Sequence, residues 1–265
     1  MGNHLIAPSI LSADFSNLKT DIEMINSSQA DWFHVDIMDG VFVPNISFGM
    51  PVLKAISKYA KKELDVHLMI INPEKYIEKF AELGSDNITI HYETCNNLDD
   101  TIKIIKHTGV KVGVAINPDT DVKVLAKYIN KIDMVCLMGV FPGFSGQKFI
   151  EKTFQRCSEL RQMIISNNSK CQIEIDGGVS DTNARKLLEC GANAKIKTGR
   201  IDIPKECNVH VIDPPKTHLA SIIGRKGKAE GVEAPRCRRA HRPLRRPPRR
   251  SLRRRVPRIR ARRGG

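Results

Sequence analysis

The sequence predicts an α/β fold, and the leading interpretation is a (β/α)8 TIM barrel that is incomplete at its eighth strand. Seven strand-like segments alternate with amphipathic segments at about 25 to 35 residues per unit, which favours a parallel sheet. A doubly wound open sheet is the alternative, but no GxGxxG motif follows the first strand. The predicted strands are Leu5–Pro8, Trp32–Asp36, Leu64–His67, Asn87–His91, Lys111–Ile116, Met134–Leu137 and Gln172–Ile175.

Helix-start signals and apolar periodicity predict the helices between these strands. The first helix opens at Ser16 and a later one at Ser180, where Ser180–Asn183 forms a cap. Pro73 and Pro118 open two more, the second leading into Val122–Tyr128. The first helix carries Ile22, Met24 and Ile25, the helix opened by Pro73 has Tyr76, Phe80 and Leu83 on one side, and the last has Ala184, Leu187 and Leu188 on its buried side.

The pattern fails where an eighth strand should follow Gly191-Ala192. Within 193–200, Ile196 is the one large apolar residue and stands between two lysines, whereas barrel strands are buried on both faces. From Gly224 onward the chain is rich in Arg and Pro, a composition typical of disorder. We therefore divide the chain into a barrel (1–194), an aberrant segment (195–223) and a disordered basic tail (224–265).

The positive charge of the chain is confined to this tail. Residues 224–265 hold 18 of the 43 Lys and Arg residues and two of the 29 acidic residues, so the tail carries +16 and the first 223 residues carry −2. An Arg-rich tail of this kind is expected to bind nucleic acid or acidic membranes through charge alone. With no Phe, Tyr or Trp after residue 200 to stack on bases, specific nucleic-acid recognition is not expected.

Cysteine usage and hydropathy predict the compartment. The seven cysteines are scattered without a CxxC pair, which favours a reducing environment. There is no signal peptide and no apolar stretch near 18 residues, so a soluble cytoplasmic protein without a membrane segment is expected.

Two histidines and two aspartates at strand ends suggest one metal site. His34 and Asp36 share a face of one strand, His67 lies on the next, and Asp176 ends the last predicted strand. A neutral imidazole and a carboxylate are suitable ligands for a shared divalent cation. Each residue alone is more simply an ordinary polar group, but the four together favour the site.

Glycine-rich turns follow the last two predicted strands. Gly143 and Gly146 follow the sixth, ahead of a helix expected near Lys148, and Gly177-Gly178 follow the seventh. Glycines let backbone N–H groups approach an anion, and loops after late barrel strands commonly bind phosphate. One such loop is usually a tight turn, whereas two in these positions favour a phosphate site.

At the level of motifs, residues 4 to about 194 resemble the ribulose-phosphate 3-epimerase family, metal-dependent (β/α)8-barrel isomerases of the pentose phosphate pathway. The segments that carry the resemblance are Ala7–Phe15, Phe33–Phe48, Asp65–Met69, Pro142–Gln147 and Glu174–Val179. The resemblance implies interconversion of D-ribulose 5-phosphate and D-xylulose 5-phosphate by proton transfer at C3.

The resemblance also implies roles for individual residues. The implied ligands of one divalent cation (Zn, Fe(II), Mn or Co) are His34, Asp36, His67 and Asp176. The implied acid/base pair is Asp36 and Asp176. The implied substrate-binding residues are Ser9, His67, Gly143, Phe144, Ser145, Gly146, Asp176, Gly177 and Gly178. The implied apolar collar is Met38, Met69 and Met138.

The implied chemistry is consistent with the residue types. Epimerisation beside a ketone removes a proton from one face of the carbon and returns it to the other, which takes two carboxylates. The enediolate formed between these steps is stabilised by a Lewis-acid metal. An epimerase of a six-carbon ketose phosphate would have the same residues and remains an alternative.

Departures from the family pattern leave further alternatives. Gly139 stands where a small hydroxyl residue is common, and Ser145 stands where glycine is common. The apolar eighth strand, Gly-Ser or Gly-Asn loop and final helix of the family are missing after Gly191-Ala192. These features suggest a frameshifted or fused reading frame, and one hypothesis is an inactive barrel whose tail binds nucleic acid non-specifically. A complete barrel would be expected to form a homo-oligomer.

Overall fold

The computed structural model describes residues 5–193 and the backbone of the short strand Ile196–Lys197. The chain divides into two units, Met1–Arg225 and Lys226–Gly265, and every described residue belongs to the first. The predictions for the tail 224–265, and for the rest of 195–223, lie outside the described residues. Within the described part, no helix is long and apolar enough to cross a membrane.

Parallel strands in sequential order form a single curled sheet. A doubly wound sheet would reverse its strand order at a switch point, so the sequential order confirms the incomplete TIM barrel. The strands are β1 (Trp32–Met38), β2 (Glu63–Met69), β3 (Asn87–His91), β4 (Lys111–Ile116), β5 (Met134–Met138), β6 (Gln172–Asp176) and β7 (Ile196–Lys197).

The two ends of the sheet differ from regular barrel strands. At the eighth position, β7 pairs with β6 through two residue pairs. At the first position, Leu5–Pro8 lies beside β1, where Trp32 N donates to Ile6 O (3.1 Å) and His34 N to Pro8 O (2.9 Å). Isolated bridges at Leu5 and at Ser9, the latter to His34, take the place of the expected full strand. Pro8 explains part of the difference because it has no N–H to donate to a ladder.

Helices connect most of the strands. Their bounds are α1 (Leu18–Ser27), α2 (Met50–Tyr59), α3 (Ile77–Glu82), α4 (Leu98–His107), α5 (Lys152–Ser166) and α6 (Asp181–Glu189). The capping of α6 is confirmed, since Ser180 and Asn183 form a reciprocal capping box. The first helix begins at Leu18 with Asn17 as its N-cap, slightly after the predicted opening at Ser16.

Three helix predictions need correction. The helix expected to open at Pro73 is a short 3₁₀ helix, Pro73–Lys75, and α3 begins after it at Ile77. The segment predicted as a helix over Val122–Tyr128 contains only a 3₁₀ helix, Val122–Leu125, because Tyr128 N bonds to Leu125 O three residues back (2.8 Å) and tightens the turn. The helix expected near Lys148 begins at Lys152. There the Gln147 side chain donates to Phe141 O (2.6 Å) and Phe144 O (2.9 Å), which holds the preceding residues in a loop.

The two faces of the strands differ in polarity. Outward-facing apolar residues, such as Phe33 and Val35 of β1, pack beneath the helices in one large core. The inward-facing positions include many buried polar groups, which are costly to bury and therefore indicate a functional interior. These groups are His34, Asp36, Asp65, His67, Asn87, Thr89, His91, Glu174 and Asp176.

We predict that Gly113→Ala destabilises the fold. Gly113 pairs with Thr89 across β3 and β4, and an added Cβ would collide with the Thr89 hydroxyl and lie 2.9 Å from its Cβ. Such overpacking costs about 1–3 kcal/mol, which outweighs the gain from replacing a strand glycine. Chemical denaturation of both proteins measures the difference.

The matched control is Gly49→Ser, at the N-cap of α2. A Cβ there meets nothing within 4 Å, and serine is a favourable N-cap residue. We expect its stability to stay within about 0.5 kcal/mol of the parent protein. Equal stability of Gly113→Ala and Gly49→Ser would contradict the packing argument.

Candidate active site

The structure brings the four predicted metal-site residues to one buried point near the carboxyl ends of the strands. His34 and Asp36 project from β1, His67 from β2 and Asp176 from the end of β6. One ligand atom from each lies within 4.8 Å of the other three, and none of the four residues is more than 2% exposed. The two aspartates and two histidines therefore form one cluster.

The spacing within this cluster fits a small cation. His34 Nε2 lies 3.3 Å from Asp36 Oδ1, and His67 Nδ1 lies 3.5 Å from Asp36 Oδ1 and 3.3 Å from Asp176 Oδ2. A tetrahedral ion with bonds of about 2.1 Å holds its ligand atoms about 3.4 Å apart. These four side chains could therefore hold a metal ion.

The surroundings of His67 also fit a cation. Its buried Nδ1 faces two carboxylates, Asp176 and Asp36, at 3.3 and 3.5 Å. Burial alone would lower the pKa of His67, but the carboxylates of Asp176 and Asp36 outweigh burial and raise the pKa above its usual 6.5. The two carboxylates therefore favour a positive charge beside His67 Nδ1.

A deeper layer of polar residues orients His34. Its Nδ1 lies 2.6 Å from Asp65 Oδ2, and the Asn87 amide donates to the other oxygen of Asp65. Glu174 Oε1 lies 3.5 Å from the same Nδ1. An N–H directed at Asp65 leaves the opposite nitrogen as an acceptor at the cluster. Asp65 and Glu174 are not among the predicted site residues, although each precedes one by two positions on the same strand face.

Ser9 contacts the same cluster. The Ser9 hydroxyl donates to Asp36 Oδ2, while Asp36 Oδ1 faces the two histidines. The bridge between Ser9 and His34 fixes this serine at the edge of β1. The predicted substrate residue is therefore placed where it can also orient the Asp36 carboxylate.

The three methionines predicted as a collar are all buried at the ends of their strands. Met38 and Met69 are paired between β1 and β2 and share one apolar cluster with Val43. Met138 belongs to a second small cluster, with Ala115 and Cys136, and is paired with Asp176. Apolar side chains from two separate clusters thus lie beside the four His and Asp residues.

The two glycine-rich segments lie against each other at this end of the sheet. Gly139 N donates to Asp176 O (2.7 Å), and a Cβ on Gly178 would lie 2.7 Å from Phe149 Cα. Four glycines of these segments have positive φ: Gly143 (125°), Gly146 (76°), Gly177 (96°) and Gly178 (67°). Phe144, Ser145 and Gly146 are exposed, so a ligand can reach this loop.

Asp39 holds the loop that follows β1. Its Oδ1 accepts N–H bonds from Val41 (2.8 Å) and Phe42 (2.9 Å), and its Oδ2 accepts one from Ile71 in the loop after β2 (2.8 Å). Burial raises the pKa of Asp39, but these backbone hydrogen bonds outweigh it and lower the pKa below 3.8. The carboxylate thereby joins two loops beside the cluster.

Comparison with known proteins identifies the family. A sequence model described as the ribulose-phosphate 3 epimerase family matches residues 5–201. The chain belongs to this family. Ribulose-phosphate 3-epimerase from Synechocystis sp. is 45% identical over 72% of this chain and 84% of its own length. The chloroplastic ribulose-5-phosphate-3-epimerase of Arabidopsis thaliana is 41% identical over 72% and 69%, respectively.

A comparison of structures supports the fold. The tryptophan synthase A-subunit from Pyrococcus furiosus superposes with a TM-score of 0.56 at 12% identity, covering 75% of this chain and 89% of that chain. At this identity the likeness concerns the barrel architecture alone.

We predict that Asp39→Asn lowers stability by about 1 kcal/mol at neutral pH, since hydrogen bonds to a partly exposed charged acceptor contribute modestly. A carboxylate whose folded-state pKa is lowered stabilises the protein above its unfolded pKa, and this contribution disappears as pH falls through the folded-state pKa. Urea denaturation of both proteins from pH 6 downward should show a constant difference that shrinks below about pH 3.8. A difference that grows on acidification would contradict this role.

Proposed function

We propose that the chain interconverts D-ribulose 5-phosphate and D-xylulose 5-phosphate by metal-assisted, two-base proton transfer at C3. The observation that carries this proposal is the pair of carboxylates, Asp36 and Asp176, in one buried cluster with two histidines. The names of the family relatives support the same substrate class.

The donor set proposed for the metal is His34 Nε2, Asp36 Oδ1, His67 Nδ1 and Asp176 Oδ2. Two imidazoles and two carboxylates suit Zn, Fe(II), Mn or Co, and one divalent cation is proposed. When bound, it supplies Lewis-acid stabilisation of the negative charge that develops on the substrate oxygens beside C3.

The aspartates move the proton in this proposal. One carboxylate removes the C3 proton from one face, and the carboxyl group of the other returns a proton to the opposite face, so the configuration inverts. In the reverse direction the two exchange roles. Ser9 holds Asp36 Oδ2 during this exchange, which limits rotation of the carboxylate away from the reacting carbon.

The surrounding segments bind and enclose the substrate. Backbone N–H groups of the loops 143–146 and 177–178 are proposed to hold the phosphate, since glycines with positive φ expose the backbone. Met38, Met69 and Met138 are proposed to exclude water from the reacting carbon, which strengthens the electrostatic interactions there.

Sugar phosphate is the proposed specific partner, and the cytoplasm is the proposed compartment. The −2 charge of residues 1–223 gives that part of the chain no general attraction to nucleic acid or acidic membranes. Homo-oligomer formation stays a prediction that depends on a complete barrel.

The test compares Asp36→Asn and Asp176→Asn with the parent chain. Each substitution keeps the side-chain volume but removes a base, so we expect epimerisation to be abolished, whereas the parent enzyme should introduce solvent deuterium at C3. Asp119→Asn, at an exposed loop position, is the control and should retain full activity. If either site variant keeps more than about a tenth of the activity, a loss of under about 1.4 kcal/mol, the two-base assignment is wrong.

A further inference from the structure

A chain of hydrogen bonds approaches His67 from the side opposite the metal cluster. Glu93 Oε2 lies 3.2 Å from His91 Nδ1, and His91 Nε2 lies 2.9 Å from His67 Nε2. The two imidazole planes differ by 19° and their centroids are 5.0 Å apart, as expected for rings joined edge to edge by an N–H···N bond. His91, backed by Glu93, therefore contacts His67 through the nitrogen that the proposed metal site does not use.

The positions of the protons follow from what each group can donate. A carboxylate only accepts, so His91 Nδ1 carries the hydrogen that faces Glu93. A neutral imidazole carries one ring hydrogen, so the fully buried His91 presents Nε2 to His67 as an acceptor. His67 Nε2 must then donate, and a neutral His67 has its lone pair on Nδ1.

Glu93 is anchored by the loop after β4. Its Oε1 accepts from Asn117 N (2.8 Å) and from the Thr120 hydroxyl. Arg156 of α5 holds this loop in place by donating to Asn117 O (2.6 Å) and Thr120 O (3.1 Å). The carboxylate is thus held with one oxygen toward the loop and the other toward His91.

Water has no access to the two histidine rings of this chain, although Glu93 at its outer end is partly exposed. His91 is fully buried, and the ring of Phe42 packs on it with centroids 4.7 Å apart. An alternative acceptor for His67 Nε2–H is therefore not provided by solvent, and the tautomer of His67 depends on its protein partners.

We propose that Glu93 and His91 are positioning residues that keep the proton of His67 on Nε2 and so present its Nδ1 lone pair to the metal. The inference rests on the proposed metal site and adds a second pair of residues to it. In this proposal His91 and Glu93, at the end of β3, raise metal affinity by fixing the tautomer of His67, which the direct ligands alone do not do.

The decisive variant is Glu93→Gln, which preserves size but changes one oxygen to an amide. Asn117 N and Thr120 need an acceptor, so the amide oxygen should face them and the NH₂ group should face His91 Nδ1. His91 then donates from Nε2, which forces the proton of His67 onto Nδ1. We expect Zn²⁺ affinity, measured on the full chain by competition with a chelating dye, to fall about 10–100-fold.

Nitrogen-15 NMR of the metal-free proteins at pH 9 reads the tautomer directly. We expect the hydrogen of His67 on Nε2 in the parent chain and on Nδ1 in Glu93→Gln. Circular dichroism and thermal melting should show that Glu93→Gln retains the fold. A purely structural role of Glu93 would leave the hydrogen of His67 on Nε2.

Companion variants separate the effect of the hydrogen-bond chain from the effect of packing. His91→Gln can place an amide oxygen near His67 Nε2 and should retain affinity within about threefold, whereas His91→Leu should lose it as Glu93→Gln does. Glu82→Gln, the same change at an exposed glutamate of α3, is the matched control and should bind Zn²⁺ like the parent chain.

Two results would overturn the proposal: His67 carrying its hydrogen on Nδ1 in the parent chain, or Glu93→Gln binding Zn²⁺ within threefold of the parent. Failure of the proposed function is distinguishable. A parent chain that binds no Zn²⁺ removes the metal site, while the tautomer of His67 in the metal-free proteins still decides whether Glu93 and His91 control it.

Discussion

Burial of two carboxylates beside each other is the constraint on which the rest of this structure depends. Asp36 and Asp176 both lie in an interior from which water is excluded, with ligand atoms that meet around one point. Like charges at this distance repel, and neither can be solvated, so the arrangement needs positive charge between them. A divalent cation satisfies the need, and so does protonation of His67, whose pKa is raised by the same carboxylates. The site thus selects for a cation before any substrate arrives.

Strand register delivers these groups to one point. The pairing of β1 with β2 sets Asp36 opposite His67 and Met38 opposite Met69, and the pairing of β5 with β6 sets Met138 opposite Asp176. A slip of one residue would turn every one of these side chains to the helix-covered face. The polar layer beneath the cluster, built on Asp65 and Asn87, and the chain from Glu93 through His91 then fix the ring orientations. Function at this site is therefore a property of the whole sheet as well as of the ligands.

The sequence predicted the sheet and the four-residue cluster because both rest on local patterns. Alternation along each strand determines which side chains share a face, and the carboxyl ends of parallel strands meet at one edge. The sequence did not predict the hydrogen bond between His91 and His67, because ring contacts across β2 and β3 depend on register and rotamer. The departure at Gly139 also needed coordinates: a Cβ there would collide with Gly177 O, so close contact between the two glycine-rich segments requires glycine. The 3₁₀ helix at Val122–Leu125 differs from its prediction because i→i+3 backbone hydrogen bonds, such as Ala126 N to Lys123 O, tighten a segment with helical periodicity.

The proposed metal ligands come from β1, β2 and β6, so they are complete within the described part of the chain, although the sheet ends in the two-residue strand β7. The central claim is that one divalent cation binds at these four side chains. X-ray diffraction from Zn²⁺-soaked crystals, recorded on both sides of the zinc absorption edge, tests it most directly. We expect one anomalous peak about 2.0–2.2 Å from His34 Nε2, Asp36 Oδ1, His67 Nδ1 and Asp176 Oδ2. A peak bonded to His67 through Nε2, or a cluster that stays empty at saturating zinc, would contradict it.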